Sequence, residues 1–387
     1  MNPESKIYVA GHRGLAGSAL VRGLLHRGCG NLILRTHTEL DLELQPAVES
    51  FFAEERPEYV FMAAAKVGGI HANFAYPVDF LLRNLRIQIN VIEAAWRHGV
   101  SGLIFLGSSC IYPKLAPQPL KEESVLAGLL EPTNEPYAIA KIAGIELCEA
   151  YNRQHGTRFL SVMPTNLYGP SDNYDLQNSH VLPAFIRKFH LAKLAARKDW
   201  KGIRADEAAF GPIPADVSSS LTGTPISPSP HPRVPPSSHL PVSSPPGLTM
   251  PTVALWGTGS PRREFLFSDD LADACIFLIN RLDDLFIEGT GSTGFRSGAS
   301  RRESSFASDH LINIGYGEDL TIRELAELVA GIVGFDGPVE WDHTKPDGTP
   351  QKLLDVSRIT SLGWKPKTSL AEGIRLAYED YLDKGKA

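Results

Sequence analysis

Tyr137-Ala138-Ile139-Ala140-Lys141 sets a phenol and an ammonium at i and i+4, neighbours on one helical face. There the cation can lower the phenol's pKa and grip a cofactor ribose, which lets a tyrosine exchange a proton near neutral pH. Ser108 follows the apolar run Leu103 to Leu106 and offers a hydroxyl to an oxygen that gains charge during reaction. Near the start of the chain, Gly11-His12-Arg13-Gly14-Leu15-Ala16-Gly17 has the GxxGxxG spacing. Its glycines permit a tight turn, close approach of backbone to a pyrophosphate and close helix packing, with helix N–H groups facing the anion. The same triplet also suits a plain strand-to-helix turn. Where an acidic residue would hold the ribose of NAD, the chain has Arg35-Thr36-His37; a cation there suits a 2′-phosphate, so NADP is expected, with Arg13 within reach of the same phosphate. Two solvated surface arginines are the plainer alternative.

Elements must exist to position these groups. From residue 6 to about 165, short aliphatic runs alternate with longer amphipathic ones, the pattern of βαβ units and a parallel sheet. Strands are expected at Ile7 to Ala10, Leu32 to Arg35, Tyr59 to Ala63, Leu103 to Leu106 and Phe159 to Met163. Helices are expected near 15–27, 46–55, 80–98 and 137–154. Val91, Ile92, Ala95 and Trp96 form a buried helical stripe. The fold class is therefore α/β, a Rossmann-type doubly wound parallel sheet with a smaller α/β substrate domain. Residues 1–175 form the nucleotide domain, to which 261–285 returns, and 176–387 form the second. Twelve of the 29 prolines fall between Pro212 and Pro251 among many serines, and 289–308 is rich in Gly, Ser and Arg. Insertions at 205–250 and 288–309, disordered or irregular, are expected. Structure resumes with strands at Thr252 to Trp256 and Leu311 to Ile314, then helices at Thr321 to Val333 and near Leu370 to Leu382.

The 387 residues carry 43% hydrophobic and 21% charged side chains with a net charge of −6. That balance supports a sizeable core and gives no general attraction to nucleic acid or an anionic membrane. Cys29, Cys110, Cys148 and Cys275 form no CxxC pair, so neither a zinc site nor a disulfide framework is expected and no metal is assigned. The polar N-terminus leaves no room for a leader, and no apolar run approaches the ~20 residues of a membrane span. A cytoplasmic protein is expected.

Further motifs narrow the reading: Ala64-Ala65-Lys66-Val67-Gly68-Gly69-Ile70, Gly107-Ser108-Ser109-Cys110-Ile111-Tyr112-Pro113-Lys114, Glu131-Pro132-Thr133-Asn134-Glu135-Pro136-Tyr137, Pro164-Thr165-Asn166-Leu167-Tyr168-Gly169-Pro170, Asn178-Ser179-His180-Val181 and Lys345-Pro346-Asp347-Gly348-Thr349-Pro350. With the glycine turn, Ser108 and YxxxK, they resemble the GDP-L-fucose synthase family of the extended short-chain dehydrogenase/reductases, along nearly the whole chain outside the two insertions. The resemblance implies 3,5-epimerisation of GDP-4-keto-6-deoxy-D-mannose followed by NADPH-dependent reduction at C4. It implies Cys110 as base and His180 as acid, with Ser108, Tyr137 and Lys141 at the C4 oxygen. The chemistry makes sense of the first pair, since epimerisation beside a ketone takes one group to remove a proton and another to deliver one on the opposite face. An imidazolium would also help hold the thiol ionised. On residue type alone, a small buried cysteine and a structural histidine account for them more simply. The resemblance further implies NADP contacts from Gly11, His12, Arg13, Gly14, Leu15, Ala16, Gly17, Arg35, His37, Leu106, Gly107, Ser108, Ser109, Lys141, Pro164, Thr165, Asn166, Leu167 and His180. For the GDP-sugar it implies Lys188 and Arg263 as counter-charges to the diphosphate, Trp256 as an apolar wall and Asp347 as an acceptor. It also implies a homodimer through the helices near 80–98 and 137–154.

The chain departs from the family at His37, where relatives carry a basic residue, and in the two insertions. The competing readings are a related nucleotide-sugar 4-epimerase or 4,6-dehydratase, and an NADP-binding scaffold without turnover. A dehydratase would show acidic residues where this chain has Ser109-Cys110, and a scaffold would not need Tyr137 and Lys141.

Overall fold

A computed structural model describes residues 1–221, 250–286, 310–345 and 347–385. The chain begins with β1 (Ile7–Ala10), α1 (Leu15–His26), β2 (Leu32–Ile33), α2 (Gln45–Glu55), β3 (Tyr59–Met62), α3 (Ile70–Ala75), α4 (Pro77–Arg97), β4 (Gly102–Leu106), α5 (Glu135–His155) and β5 (Phe159–Pro164). It continues through β6 (Asn166–Tyr168), α6 (Val181–Ala196), α7 (Trp200–Phe210), α8 (Ala215–Leu221), β7 (Val253–Trp256), β8 (Arg262–Phe267), α9 (Ser268–Ile279) and α10 (Leu282–Phe286). After the second undescribed stretch come β9 (Leu311–Ile314), β10 (Asp319–Thr321), α11 (Ile322–Val333), β11 (Val339–Asp342), β12 (Gln351–Lys352), α12 (Ser357–Ser361) and α13 (Leu370–Lys384).

Six strands make one parallel sheet in the order β2-β1-β3-β4-β5-β9. β1, β4, β5 and β9 are buried along their whole length, which is why they read as unbroken apolar runs rather than alternating ones. One face packs on α2, α4 and α5 through residues such as Phe52, Val91, Ile92, Ala95 and Ile145; the other packs on α1 and α9 through Leu20, Leu24, Leu271 and Ile276. At Gly144 of α5 a Cβ would fall 2.4 Å from the Phe105 ring, so only glycine lets that helix lie so close to β4. Chain order reverses at β1, and ligands of such sheets bind beyond the carboxyl ends of the strands flanking that point.

The remainder packs around a third core built from α6, α11 and α13, including Phe185, Phe189, Leu325, Val329 and Tyr381. Here β8 is the central strand, antiparallel to β10 and parallel to β6 and β12, while β7 pairs with β11. No helix among the described residues is long and apolar enough to cross a membrane.

Three expectations are corrected. The segment from 205 is not irregular at its start, because α7 and α8 run to Leu221: Phe210 stacks on Tyr381 with ring centroids 4.6 Å apart, and Asp206 pairs with buried Arg187 at 2.8 Å. Of the expected insertions, 222–249 and 288–309 lie outside the described residues. The second strand stops at Ile33 rather than Arg35, since Arg35 turns out to meet Glu55. Leu311 to Ile314, assigned from sequence to the second domain, hydrogen-bonds to β5 as an edge strand of the large sheet.

Candidate active site

A cleft of about 720 Å³ opens at the carboxyl edge of the large sheet. Gly11, Gly14, Leu15, Ala16 and Gly17 line one end. Gly11 has φ of +82°, and a Cβ on it would lie 2.7 Å from the Ala64 nitrogen; a Cβ on Gly17 would lie 2.0 Å from the Gly11 carbonyl oxygen. The turn therefore excludes side chains at both positions. Gly14 precedes α1 without a side-chain cap, leaving the first helical N–H groups open to an anion. This cradle fits a dinucleotide pyrophosphate.

Beyond it, Arg35 and His37 line the cleft as expected. Arg35, however, is engaged by Glu55 and by the Leu34 carbonyl at 3.1 Å, and His37 sits 3.7 Å from Asp41. Arg13 is exposed and has no ion pair among the described residues. His12, whose imidazole is pushed down by burial and by Arg13, sits inside the turn rather than on the cleft wall. His37, Asp41 and Glu43 bring ligand atoms within 4.8 Å of one another, but Glu43 is already neutralised by Arg83 at 2.6 Å.

At the other end the cleft is lined by Leu106, Gly107, Ser108, Ser109, Tyr137, Lys141, Pro164, Thr165, Asn166, Leu167 and His180. The end of β4, the helix α5, the β5–β6 junction and the connection into α6 deliver them. Ser108 caps the 3₁₀ turn Ser109–Ile111 after β4, accepting the Cys110 N–H at 3.5 Å, and its hydroxyl also reaches the Tyr137 phenol. Phe80 meets the Tyr137 ring edge-on at 6.2 Å. Thr165 and Asn166 are held by donating to the Glu264 carbonyl at 3.2 and 2.8 Å. His180 precedes α6; it is exposed to the open space of the cleft but walled by protein, and that burial lowers its imidazole pKa. A lowered pKa makes the imidazolium a better proton donor.

Two electrostatic expectations change. Burial raises the Tyr137 phenol, helped by Cys110 and opposed by Ser108, and Lys141 is not among the groups acting on it. The Lys141 ammonium instead donates to the Leu106 carbonyl at 2.7 Å, and burial pushes it down to about 8. His180 likewise is not among the charges acting on Cys110. That thiol, 6% exposed, is raised by burial and lowered by Lys352, then by a Ser108 hydrogen bond, then by Lys141.

Cys110 is not among the residues that line the cleft, and neither are Lys188, Trp256, Arg263 and Asp347. Lys188 donates to Ala254 of β7 at 3.1 Å, and its pKa is lowered by burial against the pull of Asp216. Trp256, 55% exposed, is not strand core; the Lys345 ammonium lies 5.2 Å from its ring. Arg263 is lowered by burial and faces Asp347, whose two oxygens accept from Thr258 at 2.7 and 2.8 Å. Asp347 thus holds the turn between β7 and β8.

Sequence reasoning missed Lys352, which pairs across β12 and β8 with Arg263 and faces Cys110, since nothing in its own short strand marks it. It also passed over Asp172, whose carboxyl lines the cleft and is pushed up to about 7 by burial. Lys66, in the Ala64 to Ile70 motif, also lines the cleft, and its ammonium lies 6.0 Å from the Phe80 ring.

Comparison with known proteins agrees with this geometry. Residues 7–205 and 227–287 match the NAD dependent epimerase/dehydratase family. A GDP-L-fucose synthase of Arabidopsis thaliana is 50% identical over 98% of this chain and 94% of its own length. The GDP-L-fucose synthase of Escherichia coli is 44% identical over 98% of this chain and 97% of its own. Among solved structures, a GDP-mannoheptose C4 reductase from Campylobacter jejuni with NADP bound is 38% identical, covers 99% of both chains and superposes with a TM-score of 0.76.

Proposed function

Because this chain belongs to the NAD dependent epimerase/dehydratase family and, within it, to the GDP-L-fucose synthases, we propose that it converts GDP-4-keto-6-deoxy-D-mannose to GDP-L-fucose by 3,5-epimerisation and then NADP-dependent reduction. The observation that carries this reading is the meeting, in one cleft, of a side-chain-free glycine turn with Ser108, Tyr137, Lys141 and His180. The 50% identity over the full chain supports the substrate.

In the first stage the Cys110 thiolate removes the proton from a carbon beside the ketone. Electrons move onto the C4 oxygen, where Ser108 and Tyr137 donate hydrogen bonds to the enolate. His180 then delivers a proton to the opposite face of the carbon, inverting it, and the exchange is repeated at the second carbon. In the second stage NADPH, when bound, supplies a hydride to C4. Tyr137 gives its proton to the C4 oxygen at that moment, so one oxygen-binding site serves both stages, and Lys141 holds the phenol's surroundings and a ribose hydroxyl. Gly11, Gly14 and Gly17 receive the pyrophosphate, with Arg13, Arg35 and His37 at the 2′-phosphate. Lys188, Trp256, Arg263 and Asp347 receive the GDP-sugar, and residues 1–175 and 176–387 act as the cofactor and substrate domains.

We read the assembly as a cytoplasmic homodimer. Val78, Leu82 and Ile89 lie exposed along one side of α4, and Ile139 is exposed on α5, a stripe that two copies would cover. Four free cysteines suit a reducing compartment. The test is NADPH oxidation by the purified chain with GDP-4-keto-6-deoxy-D-mannose and identification of the sugar. GDP-L-fucose is expected; C4 reduction without inversion at C3 and C5 would place the chain with the C4 reductases instead.

A further inference from the structure

Proton abstraction by Cys110 needs a thiolate, yet the thiol lies in an almost closed turn whose burial favours the neutral form. Something must offset that. The groups facing the sulfur are Ser108 and the two side chains of α5, Tyr137 and Lys141, together with Lys352 at the end of β12. Ser108 and Tyr137 carry no positive charge. Lys141 is committed to the Leu106 carbonyl and is itself half-inclined to lose its proton near pH 8.

Lys352 is differently placed. It is half-buried, and among the described residues its ammonium has neither a hydrogen-bond acceptor nor a carboxylate within ion-pair distance. The groups facing it are Cys110, Arg263 across the strand pair and Glu131, and the last of these is paired with Lys114 at 3.0 Å. Backbone bonds hold this lysine to the cysteine's own loop. Leu120 donates to the Leu353 carbonyl at 2.7 Å, Leu353 donates to the Gln118 side chain at 2.9 Å, and Leu120 bridges to Leu354. The residues just after Lys352 are thereby stitched to Gln118 and Leu120, in the loop that follows the turn of Cys110. A half-buried ammonium without a partner is partly stripped of water, and a thiolate opposite it offsets that loss.

We propose that Lys352 is the counter-charge that holds Cys110 as a thiolate, the part that residue type suggested for His180. This rests on reading the chain as an epimerase. Lys352 acts through Cys110 and is a positioning residue; the thiol proton leaves to solvent before substrate arrives, and the thiolate then takes the C–H proton. His180, free of that duty, is left to protonate the opposite face.

The test is solvent-deuterium incorporation at C3 and C5 of GDP-4-keto-6-deoxy-D-mannose by the full chain without NADPH, followed by mass spectrometry between pH 5.5 and 9.5. Wild type must exchange; if it does not, the epimerase reading fails before Lys352 is in question. In Lys352→Gln the acid limb of the rate is expected to move up by about one pH unit, with exchange near pH 7 down about tenfold and recovering at higher pH. Lys352→Arg, with a charge that does not titrate here, should keep the wild-type acid limb, and it serves as the test if the glutamine variant fails to bind NADPH and so to fold. Iodoacetamide inactivation of the free protein, with Cys110→Ser as control, should show the same displacement. A variant with an unmoved limb and only a raised KM would overturn the proposal and make Lys352 a diphosphate contact. So would loss of exchange at every pH in a folded variant, or a displaced limb in Lys352→Arg.

Discussion

The ammonium of Lys141 donates a 2.7 Å hydrogen bond to the main-chain carbonyl of Leu106, the last residue of β4. The bond ties the middle of α5 to the strand end from which Gly107 and Ser108 leave. It fixes the distance between the phenol of Tyr137, one turn earlier on the same helix, and the Ser108 hydroxyl that reaches it. Lys141 therefore ties α5 to the end of β4, and its ammonium also lies 4.8 Å from the Phe105 ring and 5.9 Å from that of Tyr137.

Replacing Lys141 with Met should lower kcat for NADPH oxidation by about 10²-fold or more, since a charge and a positioning bond are lost together. The pH dependence has a definite sign. Burial lowers the lysine to about 8, so the cation is present below that pH and lost above it. Wild-type kcat/KM should fall on the alkaline side from about pH 8, and Lys141→Arg should remove that fall while retaining part of the rate. Steady-state absorbance at 340 nm across pH 6 to 10 measures both.

In the mechanism proposed above, Cys110 and His180 divide the first stage and leave the second untouched. Cys110→Ser should lose inversion at C3 and C5 by about 10²–10⁴-fold, the usual size of a general-base contribution, while still passing hydride to C4 of the unepimerised ketone. His180→Gln should behave alike, with one difference. His180 borders the cofactor cleft and Cys110 does not, so only the histidine variant should also raise the KM for NADPH. Chromatography of the sugar products separates inverted from uninverted alcohols.

Arg35 meets Glu55, and this pair weakens the expected 2′-phosphate clamp. Lys6 also reaches Glu55, at 2.9 Å, so the carboxylate is not stranded if Arg35 turns away. Glu55→Gln should free Arg35 for the phosphate and lower the NADPH KM by about three- to tenfold, within the range of a partly exposed charge-assisted contact. The KM for NADH, which lacks that phosphate, should hardly move. Arg13→Ala should do the reverse, weakening NADPH alone. Parallel titrations with the two cofactors decide it.

The legible parts of this molecule are those whose chemistry is local in sequence. Strands buried on both faces show as apolar runs, and Gly11 and Gly17 announce a turn that tolerates no Cβ. YxxxK is legible because both residues share one helix. Lys352 was not, because its partner Cys110 is brought to it by a two-residue strand and a loop stitched at Gln118 and Leu120, with no periodicity to mark either. Glu55 escaped for the same reason: its meeting with Arg35 depends on where α2 ends, not on spacing. The helices α7 and α8 were hidden by the proline-rich composition that follows them, although Ile203, Phe210, Val217 and Leu221 are the residues that pack on the third core.

That last region gives a stability prediction. Arg187 is fully buried on α6, and its guanidinium meets Asp206 of α7 at 2.8 Å, the Tyr174 carbonyl at 3.1 Å and the Phe210 carbonyl at 2.9 Å, while Tyr381 of α13 donates to the other Asp206 oxygen. Removing one member of a buried, fully bonded pair strands the other, typically at a cost of about 3–5 kcal/mol, whereas replacing both with apolar groups of similar volume is often close to neutral. Asp206→Ala should therefore lower the urea midpoint of unfolding sharply, and Arg187→Met combined with Asp206→Leu should recover most of it. If the double variant is as unstable as the single one, the carbonyl contacts of Arg187, rather than its charge pairing, hold α7 in place. NADPH affinity, set in the other core by the glycine turn, should be unchanged in whichever variant remains folded.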